Sequence, residues 1–389
     1  MACVIKTVWS IHPIGSFGAN MVSAPQANFS QKYSEAREKF LDAAQRAGAQ
    51  LHIAELANHK GPDGEILAMD FAVLGAERAP LGLVLVSATH GVEGFCGSAC
   101  QTGLLTDGTL AGDTQAMRIV IVHAHNPFGF AWVRRVNEDN VDLNRNYLDH
   151  DRPYPEAPLY DVLKNEITPA SLIGPEFHAA NAKLRAYAKE NGAFALQAAI
   201  TSGQYRHPAG LYFGGNFPTW SNRTMREKLR PLLCHQREIA VIDYHSGLGP
   251  FGYGEILNEY APGSPGYARL NAWFGGESKS TAAGDSVSAA LTGTLDGALA
   301  NILAPAKVTT FAIEYGTVPP EEVFFALRAD NWLHLYGDLK SPQALEIKRQ
   351  IRRAFYPDGP QWQRMVLDRS REVVERTVRG LKAQLPTAE

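Results

Sequence analysis

His90 and Glu93 stand three residues apart in THGVEG, directly after the apolar run at residues 81–89. An imidazole and a carboxylate at that spacing can both reach one ion from a turn or helix start, and this donor pair suits zinc. HxxE pairs also occur by chance, so the reading depends on partners elsewhere in the chain. A catalytic zinc takes three protein ligands and keeps one position open. His245, closing EIAVIDYHSG, is the candidate third donor; the competing reading is a core histidine bonded to a backbone carbonyl. Glu314 ends KVTTFAIEYG, and a carboxylate at the end of so apolar a run is either ion-paired or at work. As a general base it would take a proton from attacking water and pass it to a leaving amine.

A fourth constellation is NPFGFAWVRRVNEDNVDLNRNY, from Asn126 to Tyr147. Arg145 offers a planar fork matched to a carboxylate, Asn144 adds a neutral donor, and Arg134 or Arg135 is available to stabilise an oxyanion. Against this stands a solvated, structural arginine-rich loop. His123 and His125 alternate along one strand face and form a rival metal pair of the barrel-amidohydrolase kind, but further ligands in the right order are not evident. No GxSxG elbow is present, which removes the usual serine-hydrolase signature. Cys96 and Cys100 lie four apart on an expected helix and read as small packing residues.

The elements that must position these residues follow from the apolar pattern. A helix is expected from Ser30, as N-cap, to Ala47, with Gly48 ending it. Strands are expected in EILAMDFAVLG and at residues 81–89, 117–126, 238–245 and 307–316. Near-continuous Val- and Ile-rich runs separated by helical stretches require an α/β architecture, a mixed and mostly parallel sheet with helices on both faces. Residues 147–235 change character and read as an inserted lid. The chain beyond Pro319 carries helical spacing throughout. The expected organisation is an N-terminal extension over 1–29 and one catalytic domain over 30–389.

The bulk numbers agree with an enzyme of small molecules. A chain of 389 residues with net charge −3 has no basic field for nucleic acid, which is excluded as a partner. No stretch approaches the roughly 20 apolar residues of a membrane span. The four scattered cysteines and an interrupted N-terminal apolar run point to a reducing, cytoplasmic location.

Together the motifs resemble the zinc carboxypeptidase superfamily, the funnelins. HGVE at 90–93 resembles its HxxE zinc pair, NPFGF its NPDG turn, and VDLNRN at 141–146 its GVDxNRN segment. DYHS at 243–246 and AIEYG at 312–316 resemble the strands carrying the third ligand and the catalytic glutamate, in the same order. With HGVEGF, RRVNEDNVDLNRN and EYGTVP, the chain is most similar to a bacterial carboxypeptidase-like branch of that superfamily.

The resemblance implies one zinc ion on His90, Glu93 and His245, catalysis by Glu314, and carboxylate recognition by Asn144 and Arg145. It favours Arg135 over Arg134 as the oxyanion residue. GTLDG at 293–297 resembles the specificity-pocket segment and places Leu295 at its floor, with a plain turn and a packed Leu as the other reading. The segment 286–299 lacks the tyrosine that family carboxypeptidases carry over the site, which weakens the case for terminal exopeptidase action; Tyr212 or Trp220 is available as a substitute.

The expected function is zinc-dependent cleavage of an amide or peptide bond beside a carboxylate-bearing residue, with small peptides or N-acyl amino acids as substrates. N-acyl amino acid deacylases related to aspartoacylase are the alternative, although they usually append a β-rich C-terminal domain. A non-catalytic peptide or carboxylate binder is the third reading, and the intact set of four site residues points away from it.

Overall fold

In the computed structural model, which describes residues 25–110 and 115–385, the apolar runs that end in chemistry lie side by side. Most of the expected extension over 1–29, and Cys3 with it, falls outside the described residues. Helix α1 (Tyr33–Arg46) precedes strands β1 (Gln50–Lys60), β2 (Ile66–Leu74) and β3 (Leu81–Val86). Then come α2 (Gly94–Thr106), β4 (Met117–His123) and the short α3 (Pro127–Ala131). Region 147–235 contains α4 (Pro158–Ile167), α5 (Gly174–Asn191), α6 (Ala193–Thr201) and α7 (Trp220–Leu232). Next are β5 (Glu238–Phe251), β6 (Glu255–Asn258), α8 (Pro265–Phe274), β7 (Ser278–Ser280), α9 (Leu295–Ile302) and β8 (Lys307–Gly316). The described chain closes with α10 (Pro320–Tyr336), α11 (Pro342–Phe355) and α12 (Pro360–Lys382), none apolar enough to cross a membrane.

The eight strands form one mixed sheet in the order β1-β2-β4-β3-β5-β8-β6-β7. Its centre, β4-β3-β5-β8, is parallel. Side chains alternate across it with period two. Leu83, Leu85, Ile242, Tyr244, Phe311 and Ile313 join the core on one face, while Val84, Val86, Val241 and Val308 join the core on the other. Both faces are therefore covered, which is why these strands read as unbroken apolar runs.

The strand order reverses beside β3: the chain adds β4 on one side and later β5 and β8 on the other. A crevice opens at such a switch point, beyond the carboxyl ends of the strands.

Several boundaries differ from expectation. α1 starts at Tyr33 with Lys32 at its N-cap position, so Ser30 does not cap it. β3 and β4 stop early because Ala88 and Ala124 each take a left-handed φ of 59°. His125 N and Asn126 N then donate to Ser87 O and Ala88 O, both at 2.9 Å, tying the two strand ends together. β1 was not anticipated; it is an edge strand with Leu56 as its one buried residue, so it carries little apolar signal.

Candidate metal centre

Each candidate ligand is fixed by backbone. Gly91–Glu93 forms a 3-10 turn after β3, held where Gly91 N and Val92 N donate to Arg135 O (3.1 Å) and Arg134 O (2.7 Å). A Cβ on Gly91 would lie 2.0 Å from the Gly129 carbonyl carbon, so only glycine permits this approach to α3. His245 on β5 and Glu314 on β8 are paired in register, which sends both side chains to the same side of the sheet.

His90, Glu93 and His245 converge, each offering one ligand atom within 4.8 Å of the others; among the described residues this is the grouping that could hold a metal ion. His90 Nδ1 lies 2.9 Å from Glu93 Oε1, His245 Nδ1 lies 3.0 Å from Glu93 Oε2, and the two Nδ1 atoms are 3.2 Å apart. All three residues are buried, at 5% exposure or less.

The outer nitrogens show what the inner ones are for. His90 Nε2 is 3.2 Å from Asp142 Oδ1, and His245 Nε2 is 2.8 Å from Asp243 Oδ2. A carboxylate behind each ring fixes a proton on Nε2 and turns the Nδ1 lone pair inward, the outer arrangement that metal-binding histidines use. The two nitrogens, 3.2 Å apart beside a carboxylate, are held together by shared protons, and a metal cation can take the protons' place. The donor set of two imidazole nitrogens and one carboxylate thus fits zinc. Asp142 and Asp243 were missed in the sequence because a second carboxylate behind a ligand has no spacing rule. Their only signal was that each lies two residues before an assigned position, Asn144 and His245.

Electrostatics follow the same geometry. Burial works against ionisation of Glu93, but His90 and His245 outweigh it and hold the carboxyl below the ordinary range. Burial likewise opposes a charged His245, yet Asp243 and Glu93 keep its proton on well above the usual imidazole range. Burial and the Glu93 charge push Glu314 up to about 8. The Glu314 Oε1 atom accepts from Leu248 N at 2.9 Å.

These groups line a cavity of about 550 Å³ that also reaches Arg135, Asn144 and Arg145. Arg135 donates through Nε to Asp142 Oδ2 at 2.9 Å and leans toward Glu93 Oε1 at 3.5 Å. Asn144 Oδ1 accepts from Leu295 N at 3.0 Å, and its NH₂ group has no partner among the described residues. Arg145 is 1% exposed, donating to Thr201 O through Nε and Nη2 and to Asn144 O through Nη1. Of its five N–H groups, two have no partner among the described residues.

Two expectations do not survive. Arg134 turns away from the cavity, ion-paired to Asp330 at 3.1 Å and donating to Asn140 Oδ1 at 3.1 Å. Its neighbour Arg135 points into the cavity; just before the pair, Val133, a β-branched residue, sits at φ 52°. Leu295 is fully buried in an apolar cluster, and its neighbour Asp296 lines the cavity instead, together with Glu259. Burial, then Asp243 and Glu259, raise the Asp296 carboxyl well above its ordinary range.

The family described as "Protein of unknown function (DUF2817)" matches residues 29–369. The chain belongs to that family. No curated protein matches. Among solved structures it is similar to carboxypeptidase A from Helicoverpa armigera, with 12% identity over 85% of this chain and 76% of that one and a TM-score of 0.43. It is also similar to bovine thrombin-activatable fibrinolysis inhibitor, with 10% identity over 90% and 99% and a TM-score of 0.42. An aspartoacylase family protein from Mesorhizobium loti is similar at 13% identity over 75% and 68%, with a TM-score of 0.32.

In this family member the aromatic beside the centre is Tyr212, whose ring faces Arg135 at 5.1 Å and Arg145 at 5.8 Å; Trp220 does not reach the cavity. Tyr212 has a left-handed φ of 55°, a costly conformation for an aromatic residue. His123 and His125 serve packing. His123 bonds Ser98 at 2.9 Å, and His125 bonds Tyr147 at 2.8 Å and Thr89 at 3.2 Å.

Proposed function

We propose that this protein is a zinc-dependent amide hydrolase acting on small substrates that carry a free carboxylate next to the scissile bond, peptides or N-acyl amino acids. The observation that carries the reading is the pair of inward Nδ1 atoms 3.2 Å apart, each ring backed by a carboxylate, with Glu314 in register on the neighbouring strand. His90, Glu93 and His245 would hold the ion. When bound, zinc supplies Lewis acidity, lowering the pKa of water and polarising a carbonyl.

The chain's own groups do the rest. Glu314 takes a proton from the attacking water as its oxygen adds to the amide carbon, and delivers that proton to the nitrogen as the C–N bond breaks. Arg135, fixed by Asp142, meets the negative charge that develops on the carbonyl oxygen. The free N–H groups of Arg145 and the NH₂ of Asn144 receive the substrate carboxylate. The helical region 147–235 acts as a lid in this scheme, because α5 and α6 form one wall of the cavity. Residues 30–389 then work as a single catalytic unit.

The test is a screen of short peptides and N-acyl amino acids against zinc-loaded protein, with chelated protein as control. Glu314→Gln should keep its zinc and lose on the order of 10²–10⁴-fold in kcat. Full activity in that variant refutes the base assignment.

A further inference from the structure

We infer that the substrate carries an apolar acyl group on the carbonyl side of the scissile amide, held in the arm of the cavity between α5–α6 and α10. The inference rests on the hydrolase reading above and names its substrate class.

Helix α6 supplies the first observation. Its sequence AFALQAAIT has Gln197 as its one strongly polar residue besides the terminal Thr201, and a helix apolar on all sides is ordinarily buried. Here only Ala199 and Ile200 are buried, while six of its nine residues line the cavity. Phe194 is 52% exposed. An apolar face of this kind, turned into a cavity continuous with the metal centre, is matched by an apolar ligand.

The opposite walls agree. Leu184 of α5 and Val323 and Leu327 of α10 face the same arm, and its two charged residues, Arg185 and Glu321, are exposed. Two polar side chains inside are each held through one atom: Asn181 Oδ1 accepts from Arg328 Nη1, and Gln197 Nε2 donates to Val287 O at 3.0 Å. A peptide extending into this arm would meet few partners for its amide groups, and each amide left unpaired loses on the order of tenfold or more. An alkyl chain has no such groups and gains about fourfold in binding for each methylene buried. With the carboxylate of the amine half assigned to Arg145 and Asn144, we give the apolar arm to the acyl half.

The test uses zinc-loaded protein and N-acylglycines from acetyl to dodecanoyl, beside dipeptides with apolar N-terminal residues. The kcat/KM is expected to climb at least about 100-fold between acetyl and octanoyl and then level off. Leu196→Trp, which fills the arm, should cut the octanoyl-to-acetyl ratio about tenfold or more, with an unchanged thermal melt showing that the variant folds. Binding of octanoylglycine and acetylglycine to zinc-loaded Glu314→Gln, read by calorimetry, gives the same comparison without turnover. Hydrolysis with no dependence on chain length, or a preference for the apolar dipeptides, overturns the acyl inference and leaves the hydrolase. Tighter octanoylglycine binding with no hydrolysis of any amide overturns the hydrolase and keeps the apolar site. Neither binding preference nor hydrolysis overturns both.

Discussion

Asp243→Asn tests whether the carboxylates behind the histidines tune a metal site. Asp243 is 2% exposed and makes two bonds, accepting from Thr89 Oγ1 at 2.9 Å and from His245 Nε2 at 2.8 Å. Asparagine can keep both contacts. Its oxygen faces His245, its NH₂ faces Thr89 Oγ1, and the Thr89 hydroxyl turns to His125 Nδ1, 3.2 Å away. The substitution therefore removes charge and hardly alters shape. Losing such an anionic partner typically weakens metal binding 10–100-fold, about 1.4–2.7 kcal/mol.

The effect has a pH signature. Asp243 also raises the pKa of His245, whose proton zinc must displace. Wild-type protein bears that competition more strongly than the variant as pH falls. The gap in affinity should be widest at alkaline pH and narrow toward pH 6. Competition with a chromophoric chelator at several pH values measures it, and a metal-free thermal melt should show a loss of only about 1–2 kcal/mol. Zinc affinity within twofold of wild type at every pH would refute the argument that these carboxylates set the ligands.

In wild-type protein both His245 and Glu314 hold protons that the ion must drive off, so the zinc Kd should fall as pH rises, with the Glu314 share of that slope fading above about 8. Glu314→Gln should remove roughly one of about two protons from that slope; an unchanged slope on chelator titration contradicts the raised Glu314 pKa. Gly91→Ala pushes a methyl into the Gly129 backbone and should cost at least about 3 kcal/mol in denaturant unfolding together with zinc retention. Asp330→Asn leaves Arg134 and Lys348 buried without their countercharge and should destabilise by about 3 kcal/mol. Because burial is outweighed by Lys348 and Arg134 to lower the Asp330 pKa, its contribution is present above the ordinary value of 3.8 and lost as pH falls through the lower folded value. An Asp330→Asn protein with wild-type acid stability would contradict this.

The central strands were legible because burial on both faces leaves unbroken apolar runs, and β8 occupies the expected residues, Lys307–Gly316. β1 was not, since an edge strand with mostly exposed side chains carries no such run. At the centre, His90, Glu93 and His245 could be paired from residue type and strand-end position alone. Roles set by rotamer or backbone could not. Arg134 and Arg135 are adjacent, and only their partners, Asp330 for one and Asp142 for the other, tell them apart. Leu295 and Asp296 open the same helix, and which one faces the cavity depends on how α9 rotates against the second core.

His245 and Glu314 sit on partnered rungs of two hydrogen-bonded strands rather than on loops. Slipping that ladder by a single residue would point one of them through the sheet into the opposite layer. The distance between ligand and base is thus settled when the strands zip together, before any ion or substrate arrives, and the surrounding loops remain at liberty to change without disturbing it.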